Sequence, residues 1–288
     1  AGGATGVLTN VVLGGGLIAP PSPGSVFALL AMTPKGGFVA TIASILAAAL
    51  VSCLVGMVIL KRTATGEEDL DKATAKMKEL KNKKEEYLGH LKKLLSIDTQ
   101  TIGHGILGGK EKEGQEYIQK LLSDLGAEIK KEDLDDALLK QAYATYNEGN
   151  LGHNNKDRYN IIGDFKGKKD KTIIFNGHID TMPYGEKEAW KHDPLDPVVE
   201  DGKVYGLGST DMKGGLMAGI MAVKLIKDSG LELPCNVKIM SVADEEGGGN
   251  GTITAMMNKD TGDAAVVCEP SDNEILIAHM GFVFFKVS

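Results

Sequence analysis

Six residues in the second half of this 288-residue chain have types and spacings that suit hydrolytic chemistry: His178, Asp180, Asp211, Glu245, Glu246 and Glu269. One imidazole with several carboxylates suits Zn²⁺ or Co²⁺, with Mn²⁺ as a further option, and two such ions can share a bridging carboxylate. A water on such an ion has its pKa lowered to about 7, and a nearby carboxylate can take its proton. The adjacent acids Glu245 and Glu246 can divide the work, one as ligand and one as base. Asp180, two residues after His178, can accept the other ring N–H and fix the tautomer.

Each motif alone is weak. A lone histidine near a strand end is more often structural, and a Glu-Glu pair is common on surfaces. The joint order is harder to reach by accident. GHID is followed by GSTDMKGG, then ADEEGGG, then CEP, each with Gly or Pro beside the acid. Gly206-x-Gly208 does not make a dinucleotide fingerprint, because Asp211 stands at the third glycine position. No H-E-x-x-H, G-x-S-x-G or phosphate-loop pattern is present.

The elements that must position these residues read as follows. Ile173–Phe175 is a short apolar run bounded by Asn176-Gly177, so it reads as a buried strand ending in a turn. Asn160–Phe165, Asn236–Val242 and Ala264–Val267 are further strands, and Asp201-Gly202 marks a hairpin. The basic run 166–171 reads as a solvated hairpin loop between two strands. Helices are expected over 85–96, 113–125 (closed by Gly126) and 212–227. Strands alternating with helices give an α/β sheet with helices on both faces, its polar residues gathered where strands end.

The net charge of −7 and pI near 5.5 argue against a general nucleic-acid binder. Cys53, Cys235 and Cys268 are far apart and form neither a zinc knuckle nor a disulfide frame, which suits a reducing compartment. Average composition hides a division, for residues 1–60 hold a single charged side chain, Lys35. Gly36–Leu60 is a run of 25 residues without charge, followed at once by Lys61-Arg62. A bilayer-spanning helix needs about 20 apolar residues, and the basic stop places that end on the cytoplasmic side. The Gly- and Pro-rich stretch 14–25 before it reads as a re-entrant loop. Residues 63–84 read as a charged helix or linker.

Two resemblances follow from these stretches. NVVLGGGLIAPPSPGSVFALLAMTPKGG, the apolar run after it and EEDLDKATAKMKELK resemble the C-terminal end of the membrane component of a mannitol-type phosphotransferase permease. GHIDTMP, Trp190, DGKVYGLGSTDMKGG, ADEEGGGNG and CEPS resemble the M20 metallopeptidases and deacylases. The second resemblance implies a zinc-aminopeptidase-like domain that hydrolyses amides of N-acyl amino acids or peptides. It implies that His178 binds one ion, Asp211 bridges two, Glu246 binds the second and Glu269 the first. Glu245 is then the general base and Asp180 orients His178. The family also uses a further histidine near its C-terminus and a lid that forms the homodimer. HMGFVFFKVS resembles the entry to that lid, and His279 is a poor substitute for the missing ligand.

The expected organisation is a membrane segment over 1–62 (helix at 36–60), a charged linker over 63–84 and a partial M20-like catalytic domain over 85–288. The chain begins with Ala1 and ends just after an apolar run, so a fragment at both ends, a joined rather than natural fusion near residue 84, and near inactivity alone are expected. The hydrolase part is expected in the cytoplasm, with the whole chain anchored to an inner membrane. Rival readings are a sugar-permease fragment and a non-catalytic, metal-stabilised binding module.

Overall fold

The computed structural model describes residues 10–13 and 83–270. The membrane helix expected over 36–60, most of the linker and the lid-like stretch from 279 lie outside the described residues. Among the described residues no helix is long and apolar enough to cross a membrane.

The strands are β1 (Asn10–Leu13), β2 (Thr101–Gly105), β3 (Gly108–Gly109), β4 (Glu128–Asp133), β5 (Tyr159–Phe165), β6 (Thr172–His178), β7 (Val198–Glu200), β8 (Lys203–Tyr205), β9 (Asn236–Val242) and β10 (Ala264–Val267). The helices are α1 (Lys84–Leu95), α2 (Lys112–Asp124), α3 (Asp136–Tyr146), α4 (Lys213–Asp228) and α5 (Asn250–Met257). Six strands form one mixed sheet in the order β1-β10-β6-β9-β5-β4. β10, β6 and β9 run parallel, while β5, β4 and β1 run antiparallel to their neighbours.

Alternation along the strands explains the layers. Ile161, Phe165, Ile173, Phe175, Val237, Ile239 and Val266 face one side and pack with α1, α2 and α4. Ile162, Ile174, Met240 and Val242 face the other and meet Ala255 of α5, on which α3 rests. Burying each such aliphatic or aromatic side chain contributes roughly 1.5–3 kcal/mol. Helices therefore cover both faces, as the sequence pattern implies.

Two local readings change. The segment 166–171 does not close a hairpin, because β9 lies between β5 and β6. It crosses the start of β9 instead, with the Lys168 N–H donating to the Leu233 carbonyl at 2.9 Å. Alternation fixes which face a strand buries but not its neighbour. Asn176-Gly177 is not a turn either. The ladder to β9 continues through Gly177↔Ser241 and His178↔Val242. The glycine serves close packing, since a Cβ there would lie 2.9 Å from Met212 Cε and 3.0 Å from Leu216 Cβ. Asn250–Met257, for which the sequence pattern implies no element, is a helix that its Thr-Ile-Thr content does not announce. The Asp201-Gly202 hairpin is present, with φ of 51° and 73°.

Candidate metal centre

Because β6, β9 and β10 are parallel, their carboxyl ends share one sheet edge. His178 is the last residue of β6, Asp244-Glu245-Glu246 follow β9, and Glu269 follows β10. Asp211 arrives from the adjacent helix, two residues before α4 begins. A Cβ on Gly215 would overlap the Cys268 carbonyl oxygen, so the first turn of α4 sits directly against the end of β10. Lys213, fully buried, ties the same turn to α1 by donating to the Ile97 carbonyl at 2.8 Å and the Leu94 carbonyl at 3.3 Å.

His178 is the hub, with only 1% of its surface exposed. Its Nδ1 lies 2.8 Å from the main-chain carbonyl of Asp180, so Nδ1 carries the proton that is donated there. Nε2 then faces carboxylates: Asp211 Oδ1 at 3.0 Å, Glu269 Oε1 at 3.6 Å and Glu245 Oε2 at 3.7 Å. The Asp180 carboxylate is 3.7 Å from Nδ1 and takes another task. It accepts the Glu245 N–H at 3.2 Å and the Glu246 N–H at 3.1 Å.

Two groups of potential ligands emerge, His178 with Glu245 and Glu269, and His178 with Asp211 and Glu246. Within each group the donor atoms lie within 4.8 Å of one another. All six residues expected from the sequence therefore meet at one place. His178 stands in both groups.

The electrostatics suit a cation at this place. Burial and the charges of Glu245, Asp211 and Glu246 push Glu269 up to about 8, against the pull of His178. Burial and the neighbouring acids raise Glu246 to about 7. Glu245 and Asp180 are raised as well, burial first. Burial works against charge on His178, yet its hydrogen bond to Asp211 and the charges of Asp180, Glu269 and Glu245 prevail and raise it well above the usual value. A cation beside these groups would lower the cost of charging them, so its binding would release protons. One nitrogen and four carboxylates are a donor set that suits Zn²⁺, Co²⁺ or Mn²⁺.

Residues 174–281 match the model of Peptidase family M20/M25/M40. The second part of the chain resembles the M20 peptidases. The N-formyl-4-amino-5-aminomethyl-2-methylpyrimidine deformylase of Bacillus subtilis is 39% identical over 119 residues, which is 40% of this chain and 28% of that protein. The di-peptidase Dug1p from Saccharomyces cerevisiae superposes with a TM-score of 0.50 at 24% identity, covering 62% of this chain and 36% of the other. That likeness shows an M20-type α/β fold. A different part of the chain matches the mannitol-specific EIICB component of Geobacillus stearothermophilus, 51% identical over 92 residues, or 32% of this chain and 20% of that protein. The chain thus spans less than a third of the length of either curated relative.

The sequence reading passed over a second cluster, directly behind the M20-like centre. Arg158, Glu111 and Asp244 are buried together, with His153 and Asn250 against Asp244. Asp244 was in view as part of the acid run, but nothing local marks Arg158 or Glu111 as its partners.

Proposed function

We propose that the M20-like part of the chain hydrolyses amide bonds of N-acyl amino acids or small peptides with the help of two divalent ions. The observation that carries this reading is the convergence of His178 with four carboxylates at one parallel sheet edge. The activities named for the similar deformylase and for the structurally similar di-peptidase agree in reaction type.

In this reading His178, Asp211, Glu246 and Glu269 would hold the ions. When bound, the ions would acidify a water and polarise the amide carbonyl. Glu245 takes the proton from the attacking oxygen and later gives it to the leaving amine. It suits that role because its side chain is 40% exposed, open to a substrate, while its backbone is pinned to Asp180. Asp180 orients His178 through its carbonyl and the two glutamates through its carboxylate.

The test is slow hydrolysis of N-formyl and N-acetyl amino acids and dipeptides by the Zn²⁺- or Co²⁺-loaded chain, read over long incubations because the chain alone is expected to be nearly inactive. Glu245→Gln should abolish turnover, a loss of about 10²–10⁴-fold for a general base, while metal content stays unchanged. Equal turnover in Glu245→Gln would remove Glu245 from the chemistry. A non-catalytic metal-stabilised module would bind metal with no hydrolysis in any variant.

For the N-terminal part we propose a permease-like membrane segment, on the likeness to the mannitol-specific component and the uncharged run 36–60. It would place the hydrolase part on the cytoplasmic side. Extraction from membranes without detergent would contradict it.

A further inference from the structure

Three acids follow β9 in a row, yet only Glu245 and Glu246 reach the metal centre. Asp244 turns the opposite way. Its backbone is left-handed, with φ of 59°, a conformation that costs a non-glycine residue on the order of 1–3 kcal/mol and must be held by its surroundings. Its side chain is fully buried, and three side chains hold it. Arg158 Nη1 lies 2.8 Å from Asp244 Oδ1, His153 Nδ1 lies 2.7 Å from Oδ2, and Asn250 Nδ2 donates to Oδ2 at 2.6 Å. Arg158 in turn donates from Nε to Glu111 at 3.0 Å, and from Nη2 to the same carboxylate. Both Arg158 and Asp244 are sealed from solvent, 1% and 0% exposed as side chains.

We propose that Arg158 is a positioning residue that divides the acid triplet: by holding the Asp244 carboxylate behind the sheet edge, it aims Glu245 and Glu246 at the metal centre. The proposal rests on the metal-centre reading for its functional consequence, but the brace itself is a property of the metal-free chain. Two anchors then fix the Glu245-Glu246 turn. Asp180 grips its N–H groups from the front, and the Arg158–Asp244 pair grips the residue before it from behind. A guanidinium is suited to this because it hydrogen-bonds Glu111 through Nε and Nη2 while Nη1 faces Asp244 at 2.8 Å as a charge contact without hydrogen-bond geometry. Removing Arg158 outright would strand two buried carboxylates, so the milder change is Asp244→Asn, which leaves Arg158 paired with Glu111.

The experiment compares wild type, Asp244→Asn, Arg158→Lys and Leu122→Ala, the last a core variant remote from the site. Amide hydrogen exchange of the metal-free full chain is read first. The turn amides at 245–249 should exchange about tenfold faster in Asp244→Asn and less than that in Arg158→Lys, while β6 and β9 keep their protection and Leu122→Ala leaves the turn unchanged. Co²⁺ titration is read second, by calorimetry and by the visible spectrum. Asp244→Asn should bind about 10–100-fold more weakly with a changed spectrum, and Leu122→Ala should bind like wild type. Unchanged turn exchange in Asp244→Asn would overturn the proposal, as would Co²⁺ affinity that falls equally in Leu122→Ala. Faster turn exchange in a chain whose wild type binds no Co²⁺ would instead sustain the brace and remove the metal-centre reading.

Discussion

His178 meets Asp180 through the main chain: its Nδ1 is 2.8 Å from the Asp180 carbonyl oxygen and 3.7 Å from the Asp180 carboxylate. The aspartate therefore does two jobs with two different groups. Its carbonyl sets the ring tautomer, and its carboxylate holds the Glu245 and Glu246 N–H groups.

This separation has a measurable consequence. In Asp180→Asn the carbonyl remains, so the His178 ring should keep its proton on Nδ1, as read from its nitrogen chemical shifts. A change of tautomer in Asp180→Asn would assign that task to the carboxylate. Asp180→Ala should also destabilise the chain by about 1–3 kcal/mol, because two buried N–H groups lose their acceptor.

The residues around His178 also set a pH dependence of the metal-free chain. Glu269 at about 8, Glu246 at about 7 and His178 are all raised. A group that binds its proton more tightly when folded adds stability that is complete below its unfolded pKa and is lost as pH rises through its folded pKa. Asp228 runs the other way, because hydrogen bonds from Lys224, Lys83 and Tyr87 outweigh burial and hold it low. The clean measurement is therefore a difference. Between roughly pH 5 and about 8, in chelator, the melting temperature of wild type should fall more steeply than that of Glu269→Gln. Parallel curves would mean that Glu269 is not raised.

Gly215→Ala tests the close approach of α4 to β10. Its Cβ would overlap the Cys268 carbonyl oxygen, next to Glu269. Overpacking of this kind costs about 1–3 kcal/mol, measured by denaturant unfolding. Metal affinity should fall with it, since Asp211 and Glu269 would be moved apart. An alanine variant as stable as wild type would show that the helix and strand are not in contact.

How much of this was legible in the sequence depends on what each residue does. His178, Asp211, Glu245, Glu246 and Glu269 announce themselves because an imidazole and carboxylates beside glycines suit metal binding, and the β-branched runs before them mark the strands. The Asp180 carbonyl could not be read, since every residue has one. Arg158 and Glu111 are also silent, because a buried ion pair between distant segments leaves no local spacing. The β5–β6 hairpin failed for a similar reason: the strand that separates them, β9, begins only at Asn236, far along the chain from the end of β6 at His178. Helix α5 was missed because Thr-Ile-Thr is weak helix sequence and its formation depends on packing against β5.

The most direct measurement is a titration of the metal-free full chain with Zn²⁺ and Co²⁺, wild type against His178→Ala. His178 belongs to both ligand groups, so one substitution should weaken every site at this sheet edge. The expected result is specific uptake of divalent metal by wild type with release of protons, and its loss in His178→Ala. Wild type that takes up no metal, or His178→Ala that takes it up as tightly, would contradict the metal centre.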